Sequence, residues 1–255
     1  AICVEDLLDL INAGETWSGM VPAAVLDDWR DAVQRMLEWL QGMSHPDGQI
    51  GFFNDAALGI AAETAALRAY AGRVGMARWL EEEAASGALR MLCWYDSGYI
   101  RLDSPDAVAL LDVAPVGPDY LPGHAHADTL SFELSVFGQR VIVNGGTARY
   151  GLGPDRLRER STACHSTVEV AGCNSSEVWG GFRVARRAYP FALTVDEQRE
   201  ALSVGCSHNG FARLPGKPIH RREWELTNDG LSVRDVVTGT GNVSAVARFI
   251  LHPSV

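Results

Sequence analysis

The segment Pro122-Gly123-His124-Ala125-His126-Ala127-Asp128 sets two imidazoles at positions i and i+2. In an extended chain such residues point to one side. Counting on by twos reaches Asp128, Leu130, Phe132 and Leu134, so both histidines are expected at the end of a buried apolar stripe. A buried imidazole needs a partner. Clustered histidines find one in a metal ion, or in ordinary hydrogen bonds within a loop. Two more candidate ligands follow, Asn144 in Val143-Asn144-Gly145-Gly146-Thr147 and His165 in Ala163-Cys164-His165-Ser166. Asn144 shares the histidine face if the preceding hairpin closes with a three-residue loop, Gly138-Gln139-Arg140, which pairs Leu134 with Asn144. A two-residue loop pairs Leu134 with Val143 and turns Asn144 away, unless a bulge at Gly145-Gly146 restores it.

Charge around these residues departs from the rest of the chain. The 255 residues carry a net charge of −10, and positions 1–93 hold 14 acids against 6 basic residues. Between Arg149 and Arg187, however, seven arginines face four acids. Such a patch can receive carboxylates or sulfates, arginine being suited to planar anions; it can also be a solvated face laced with salt bridges. The overall acidity argues against a general nucleic-acid binder. No run of about 18 apolar residues exists to span a membrane. Five cysteines without C-x-x-C spacing argue against a disulfide framework or a cysteine zinc site, leaving at most one optional disulfide. The chain begins without Met and shows no signal peptide, so it is read as a processed chain or a fragment.

The elements that must position these groups change character near residue 93. Pro22 suits a helix start, and Val25, Trp29, Val33, Met36, Leu37 and Leu40 then recur at helical spacing up to Gly42. The Ala-rich stretch Asp55–Tyr70 predicts a second helix and residues 76–85 a third, with a turn at His45-Pro46-Asp47-Gly48-Gln49 between the first two. Short loops between helices imply antiparallel packing. From Cys93 the period is two. Strands are expected at Trp94–Leu102, Ala107–Val113, 130–136, Val141–Val143, 167–170, 187–195, 201–206, 219–227, 231–238 and 243–251, with Asn228-Asp229-Gly230 as a turn. Helices followed by strands mean an α+β chain of two domains, 1–93 and 94–255, with 1–93 almost wholly helical and 94–255 mainly antiparallel strand.

The strings GPDYLPGHAHADTLSFELSVFGQRVIVNGGT, RY, RSTACHSTVEVAG and SSEVWGGFRVARRA closely resemble the heparinase II/III-like polysaccharide lyases, and HPDGQIGFFNDAALGIAAETAALRAYA is similar to the helical segment that precedes that domain. The likeness runs from about residue 20 to 190. It implies the end of an α/α toroid followed by an antiparallel β-sandwich, the central portion of a longer lyase truncated at its C-terminus. It implies zinc held by His126 and His165, with Asn144 where the family usually has Asp, so that the third ligand is Asn144 itself, Asp128 or water. It implies His124 as a catalytic histidine facing a groove between the helical region and the sandwich, with His126 turned to the metal. Tyr150, in the RY string, is a sugar contact and acid or else a strand cap. Arg160 and Arg183 are substrate-binding candidates, Arg183 alternatively pairing Glu177. Trp179 stacks on a sugar or closes the core. The toroid Tyr and His of the family do not map onto residues 1–123, and Tyr70 reads as packing.

The implied function is β-elimination on a uronic-acid polysaccharide. An anionic polysaccharide or oligosaccharide is then the partner, a homodimer stays open, and the family's setting is periplasmic or secreted. The alternative is a non-catalytic carbohydrate-binding or polysaccharide-biosynthesis accessory protein of the same fold. A zinc hydrolase is a third reading, without a general-base Glu beside a metal-binding helix motif to support it.

Overall fold

The computed structural model describes residues 1–76 and 88–255. Two compact units emerge. The first holds residues 1–50 and 58–76, with helices α1 (Ile2–Thr16), α2 (Ala23–Gly42) and α3 (Thr64–Ala71), the last running into a π turn at Gly72–Met76. Pro22 stands at the N-cap of α2, as its fixed φ favours. Val4, Leu8 and Ile11 of α1 meet Val33, Leu37 and Leu40 of α2 and Leu67 of α3 in one core. The Tyr70 hydroxyl donates to Asp9 at 2.6 Å, tying α3 to α1, so Tyr70 does pack. The helix expected over 76–85 lies, beyond Met76, outside the described residues. The helix expected from Asp55 begins only at Thr64. Gly51–Ala57 belongs to the second unit instead, so 1–93 is less helical than its composition predicts. Local propensity there is overridden by tertiary bonds.

The second unit is a sandwich. One antiparallel sheet has the order β1 (Arg90–Trp94), β2 (Tyr99–Asp103), β3 (Ala107–Asp112), β4 (Phe132–Val136), β5 (Gln139–Ile142). Then come the short helix α4 (Pro154–Glu159) and strands β6 (Val168–Val170), β7 (Glu177–Trp179) and β8 (Arg183–Ala185). The second large sheet is ordered β12 (Leu231–Thr238), β11 (Ile219–Leu226), β10 (Leu202–His208), β9 (Pro190–Glu197). A last strand, β13 (Ala245–Ala247), pairs with β6, and β7 with β8. Ile100, Leu102, Ala109, Leu111, Phe132 and Leu134 of the first large sheet share a core with Leu202, Val204, Cys206, Trp224 and Leu226 of the second. This is the packing expected when alternating apolar faces meet. All five cysteines are free.

Three strand expectations are corrected. Trp94–Leu102 is not one strand: Trp94 ends β1, residues 95–98 turn, with Gly98 at φ +75 against Ala114, and 99–102 belong to β2. Strand β4 starts at Phe132 rather than Leu130, whose φ is +62. Only 245–247 of 243–251 forms a strand. The β4–β5 hairpin closes on Phe137-Gly138, both at positive φ as a two-residue primed turn requires. A register shift opposite Leu134/Ser135 then pairs Leu134 with Ile142. The loop has two residues, one of the two lengths considered, but it is placed on Phe137-Gly138, and an extra residue at Val141 in β5, ahead of Gly145-Gly146, sets Leu134 opposite neither Val143 nor Asn144.

Candidate active site and metal centre

Asp55 is the hub. The segment Gly51–Ala57 reaches it through main-chain bonds to the sandwich. Glu133, buried on β4, accepts the amides of Phe52 (3.0 Å) and Asn144 (2.8 Å), and the Thr147 amide donates to Ala56 O (3.1 Å). Arg156 of α4 forks onto both Asp55 oxygens, with Nη2 to Oδ2 at 2.8 Å. The Thr147 hydroxyl donates to Oδ1 at 3.0 Å. His124 Nδ1 bonds Oδ2 at 2.8 Å, and His126 Nε2 bonds Oδ1 at 2.9 Å. Burial pushes the Asp55 carboxyl up, but the bonds from His126, Arg156 and His124 outweigh it and hold the group well below the usual carboxylate range.

The two histidines therefore share a carboxylate while their rings part. Pro122–His124 forms a 3-10 turn, which breaks the extended count by twos. The His124 side chain is 54% exposed and that of His126 0%. His124 lies beside Tyr150 (centroids 5.8 Å) and Phe182 (5.5 Å), and the Arg156 guanidinium stacks within 5.4 Å of both those rings. Tyr150 is half exposed; burial first, and the Asp55 charge second, raise its hydroxyl pKa, so it keeps its proton at neutral pH.

His126 turns its other nitrogen to His165: Nδ1 lies 3.1 Å from His165 Nε2. The proton inventory of this pair is decisive. His165 Nδ1 donates to Ser161 O at 2.7 Å, so its Nε2 carries a lone pair. His126 Nε2 donates to Asp55, so in the neutral ring Nδ1 also carries a lone pair. Burial lowers the His165 pKa to about 4, so that ring is neutral. Two lone pairs thus face each other, and only a cation or an extra proton resolves them. Asp128 adds an oxygen: it forms with His126 and His165 a group whose ligand atoms lie within 4.8 Å of one another, all three residues buried. Asp128 Oδ2 has no hydrogen-bond partner. Two imidazoles and a carboxylate suit zinc or a similar divalent ion, and two nitrogens on a tetrahedral zinc stand about 3.3 Å apart. The residues fit a metal. His126 would be oriented for it by the Asp55 carboxylate behind its ring. Next to this group, Asp112 is pushed well above its usual range, by burial first and by the Asp128 charge second.

The remaining candidates fall as follows. Asn144 is buried beside the group, but its Oδ1 accepts the Ser166 amide (3.3 Å), and the acid that joins the histidines is Asp128. Arg160 is fully buried and donates to Ala125 O (2.9 and 3.1 Å) and Gly181 O (3.2 Å). It braces the site from beneath, with its donors on main-chain carbonyls rather than on an open face. Arg183 is exposed; Glu177 pairs instead with Arg186 (3.4 Å) and Arg213 (4.0 Å). Trp179 stands opposite Arg183 across the β7–β8 hairpin and is half exposed, so it does not close the core. Sequence reasoning missed Asp55, Arg156 and Thr147. For Arg156 a signal existed: Pro154 opens a helix that sets Arg156 and Arg160 four residues apart on one face. For Asp55 none did, since its partners lie 69 to 101 positions away.

No helix among the described residues is long and apolar enough to cross a membrane. The family model described as Heparinase II/III-like, C-terminal, matches residues 94–255. Among curated proteins none matches the chain in sequence. Among solved structures, heparan sulfate lyase HepC from Pedobacter heparinus superposes with a TM-score of 0.70 at 17% identity, over 98% of this chain and 39% of that one. A heparinase III gives 0.71 at 15% identity, over 98% and 40%. The chain thus spans about two fifths of the lyases it resembles in fold.

Proposed function

Since the chain belongs to the heparinase II/III-like family, we propose that it carries the sandwich side of a polysaccharide lyase that cleaves a uronate-containing glycan by β-elimination. The observation that supports this most is the half-exposed His124 ring, backed by the buried Asp55–Arg156 pair and flanked by Tyr150. In the neutral tautomer His124 Nδ1–H donates to Asp55, which leaves the Nε2 lone pair on the exposed part of the ring. Such a nitrogen can take the proton at C5 of a uronate; in the protonated ring the same nitrogen would instead donate to the uronate carboxylate and acidify that proton. As the C5–H electrons form the C4–C5 double bond, the C4–O4 bond breaks and O4 needs a proton. Tyr150, which keeps its proton, is the donor at hand. Arg183, exposed on β8, is suited to a carboxylate or sulfate of the glycan.

The His126, Asp128 and His165 group is the proposed zinc site, and Asn144, which accepts the amide of Ser166 beside His165, is the candidate to hold a water there. A bound ion would supply fixed positive charge that ties the two ligand-bearing segments, 126–128 and 165, together. Arg156 and Asp55 hold His124 and His126 in register through one carboxylate, so geometry at the ion and at the exposed ring are coupled.

The experiment is ultraviolet absorbance of the new double bond, measured on a panel of uronate polymers with the full-length protein that carries this chain. His124→Ala should abolish most of the signal; His126→Ala should lower metal content and stability, with activity falling as a consequence. An unchanged rate in His124→Ala refutes the catalytic role. No absorbance on any uronate polymer leaves the non-catalytic accessory reading as the better one.

A further inference from the structure

Arg222 lies in the sandwich interior, where a charge has to be explained. The inward face of β11 reads His220, Arg222, Trp224 and Leu226, and Arg222 is fully buried. Its donors are matched from two sides. Nε and Nη2 bond Asp235 on the adjacent strand β12, at 2.7 and 2.9 Å. Nη1 crosses the sandwich and bonds two main-chain carbonyls, Leu130 O at 2.9 Å and Ser166 O at 2.5 Å. The rings of Phe132, Trp224 and Phe249 surround the guanidinium at 5.5, 5.9 and 5.8 Å. The two carbonyls are not arbitrary. Ser166 follows His165, and Leu130 stands two residues after Asp128, at a φ of +62 that a branched aliphatic residue adopts only under constraint.

Asp235 is itself held. The Gly210 amide donates to His208 Nδ1 (3.1 Å), His208 Nε2 faces His220 Nδ1 (3.1 Å), and His220 Nε2 faces Asp235 Oδ1 (2.7 Å). With both rings neutral, every nitrogen here meets one proton. This second histidine pair has the spacing of His126 and His165 but no opposed lone pairs, so it calls for no ion. It is a bracket for the arginine.

We propose that Arg222 is a positioning residue for the metal group: it clamps from the opposite sheet the two segments that carry His165 and Asp128. The inference rests on the metal reading above and adds a residue far in sequence from every ligand. Losing the clamp leaves two buried carbonyls without their donor and lets both ligand segments drift. Supporting groups around metal ligands typically tune affinity by about 10–100-fold.

The test is zinc affinity of the purified protein by competition with a chromophoric chelator, with the absorption spectrum of the cobalt(II) form as a second readout. Arg222→Lys keeps a charge but cannot join Asp235 to two carbonyls. It should bind zinc about 10–100-fold more weakly and shift the cobalt bands. Asp235→Asn slackens the same clamp from behind and should move both readouts in the same direction, which keeps the test open if the lysine variant fails to fold. Leu226→Ala, further along the same inward face and in the core but not among the rings around the guanidinium, lowers stability without touching the clamp and should leave zinc affinity within about twofold, small against that range. Zinc affinity unchanged in Asp235→Asn and in folded Arg222→Lys overturns the proposal. So does an equal loss in Leu226→Ala, which would mean that affinity merely follows stability. A wild-type protein that binds no zinc overturns the metal reading and this inference with it.

Discussion

Replacing Asp55 by Asn keeps the shape of the hub and removes its charge. In the native protein the Asp55 carboxylate accepts from Arg156, His126, His124 and Thr147, with its side chain 6% exposed and that of Arg156 2% exposed. An amide can accept through one oxygen only; its NH2 would confront donors from His124 and Arg156 Nη2. The guanidinium is then a buried charge without a counter-charge, a situation that costs about 3–5 kcal/mol when one partner of a buried pair is deleted. Taking ~3 kcal/mol, because Gly181 O still accepts Arg156 Nε (3.0 Å), a unit of this size should melt about 6–12 °C lower. Arg156→Met should cost a similar amount. The double variant should cost roughly 2 kcal/mol less than the sum, since each single change strands the other's partner. Urea unfolding of the four proteins, followed by near-ultraviolet circular dichroism, measures the cycle. If Asp55→Asn stays within about 1 kcal/mol of wild type, or the two changes simply add, Asp55 is not the hub described.

The remaining expectations concern acid, the hairpin and a turn. Burial first, then His220 and two arginines, push His208 well below 6.5. Between 6.5 and that lower value the unfolded chain binds a proton that the native state refuses. Stability should therefore fall as pH drops below about 6.5, by at most ~1.4 kcal/mol per pH unit from this group. His208→Gln should flatten that slope in pH-dependent urea melts; an unchanged slope would show that another group sets it. Arg160→Met should cost about 1–3 kcal/mol, because it strands the Ala125 carbonyl and takes from Gly181 O one of its two donors, and should speed hydrogen exchange in β7–β8. Arg158→Met, which breaks only an exposed 3.4 Å pair with Asp155, should stay within about 0.5 kcal/mol; equal effects would refute the bracing role. Gly98→Ala sets a Cβ 2.4 Å from Ala114 Cα at φ +75 and should cost more than about 2 kcal/mol. Gly241→Ala, also at positive φ but with open space around it, should cost about 1 kcal/mol; a thermal melt separates the two.

What could be read from the chain was what local pattern encodes. Helical spacing from Val25 to Leu40 placed α2, and alternation through Phe132, Leu134 and Val136 placed β4. His126 and His165 were found by residue type and come together at 3.1 Å. Pattern failed where a distant group overrode it. Asp55 sits in a window of helix formers, yet bonds to Arg156, His124 and His126 hold its segment in the sandwich. For the third ligand the sequence left Asn144, Asp128 and water open, and local pattern could not choose: the 3-10 turn at Pro122–His124 and the register shift at Leu134/Ser135 break the alternation, and in the fold the carboxylate of Asp128 lies with the two histidines. Arg160 was a substrate-binding candidate by resemblance, and nothing local foretold its burial, which the carbonyls of Ala125 and Gly181, supplied by loops that packing brings over it, make tolerable. Periodicity reports which face of an element is apolar, because that is decided by neighbours three or four positions away. Which buried polar atoms find partners is decided by loops that meet only after the sheets have packed.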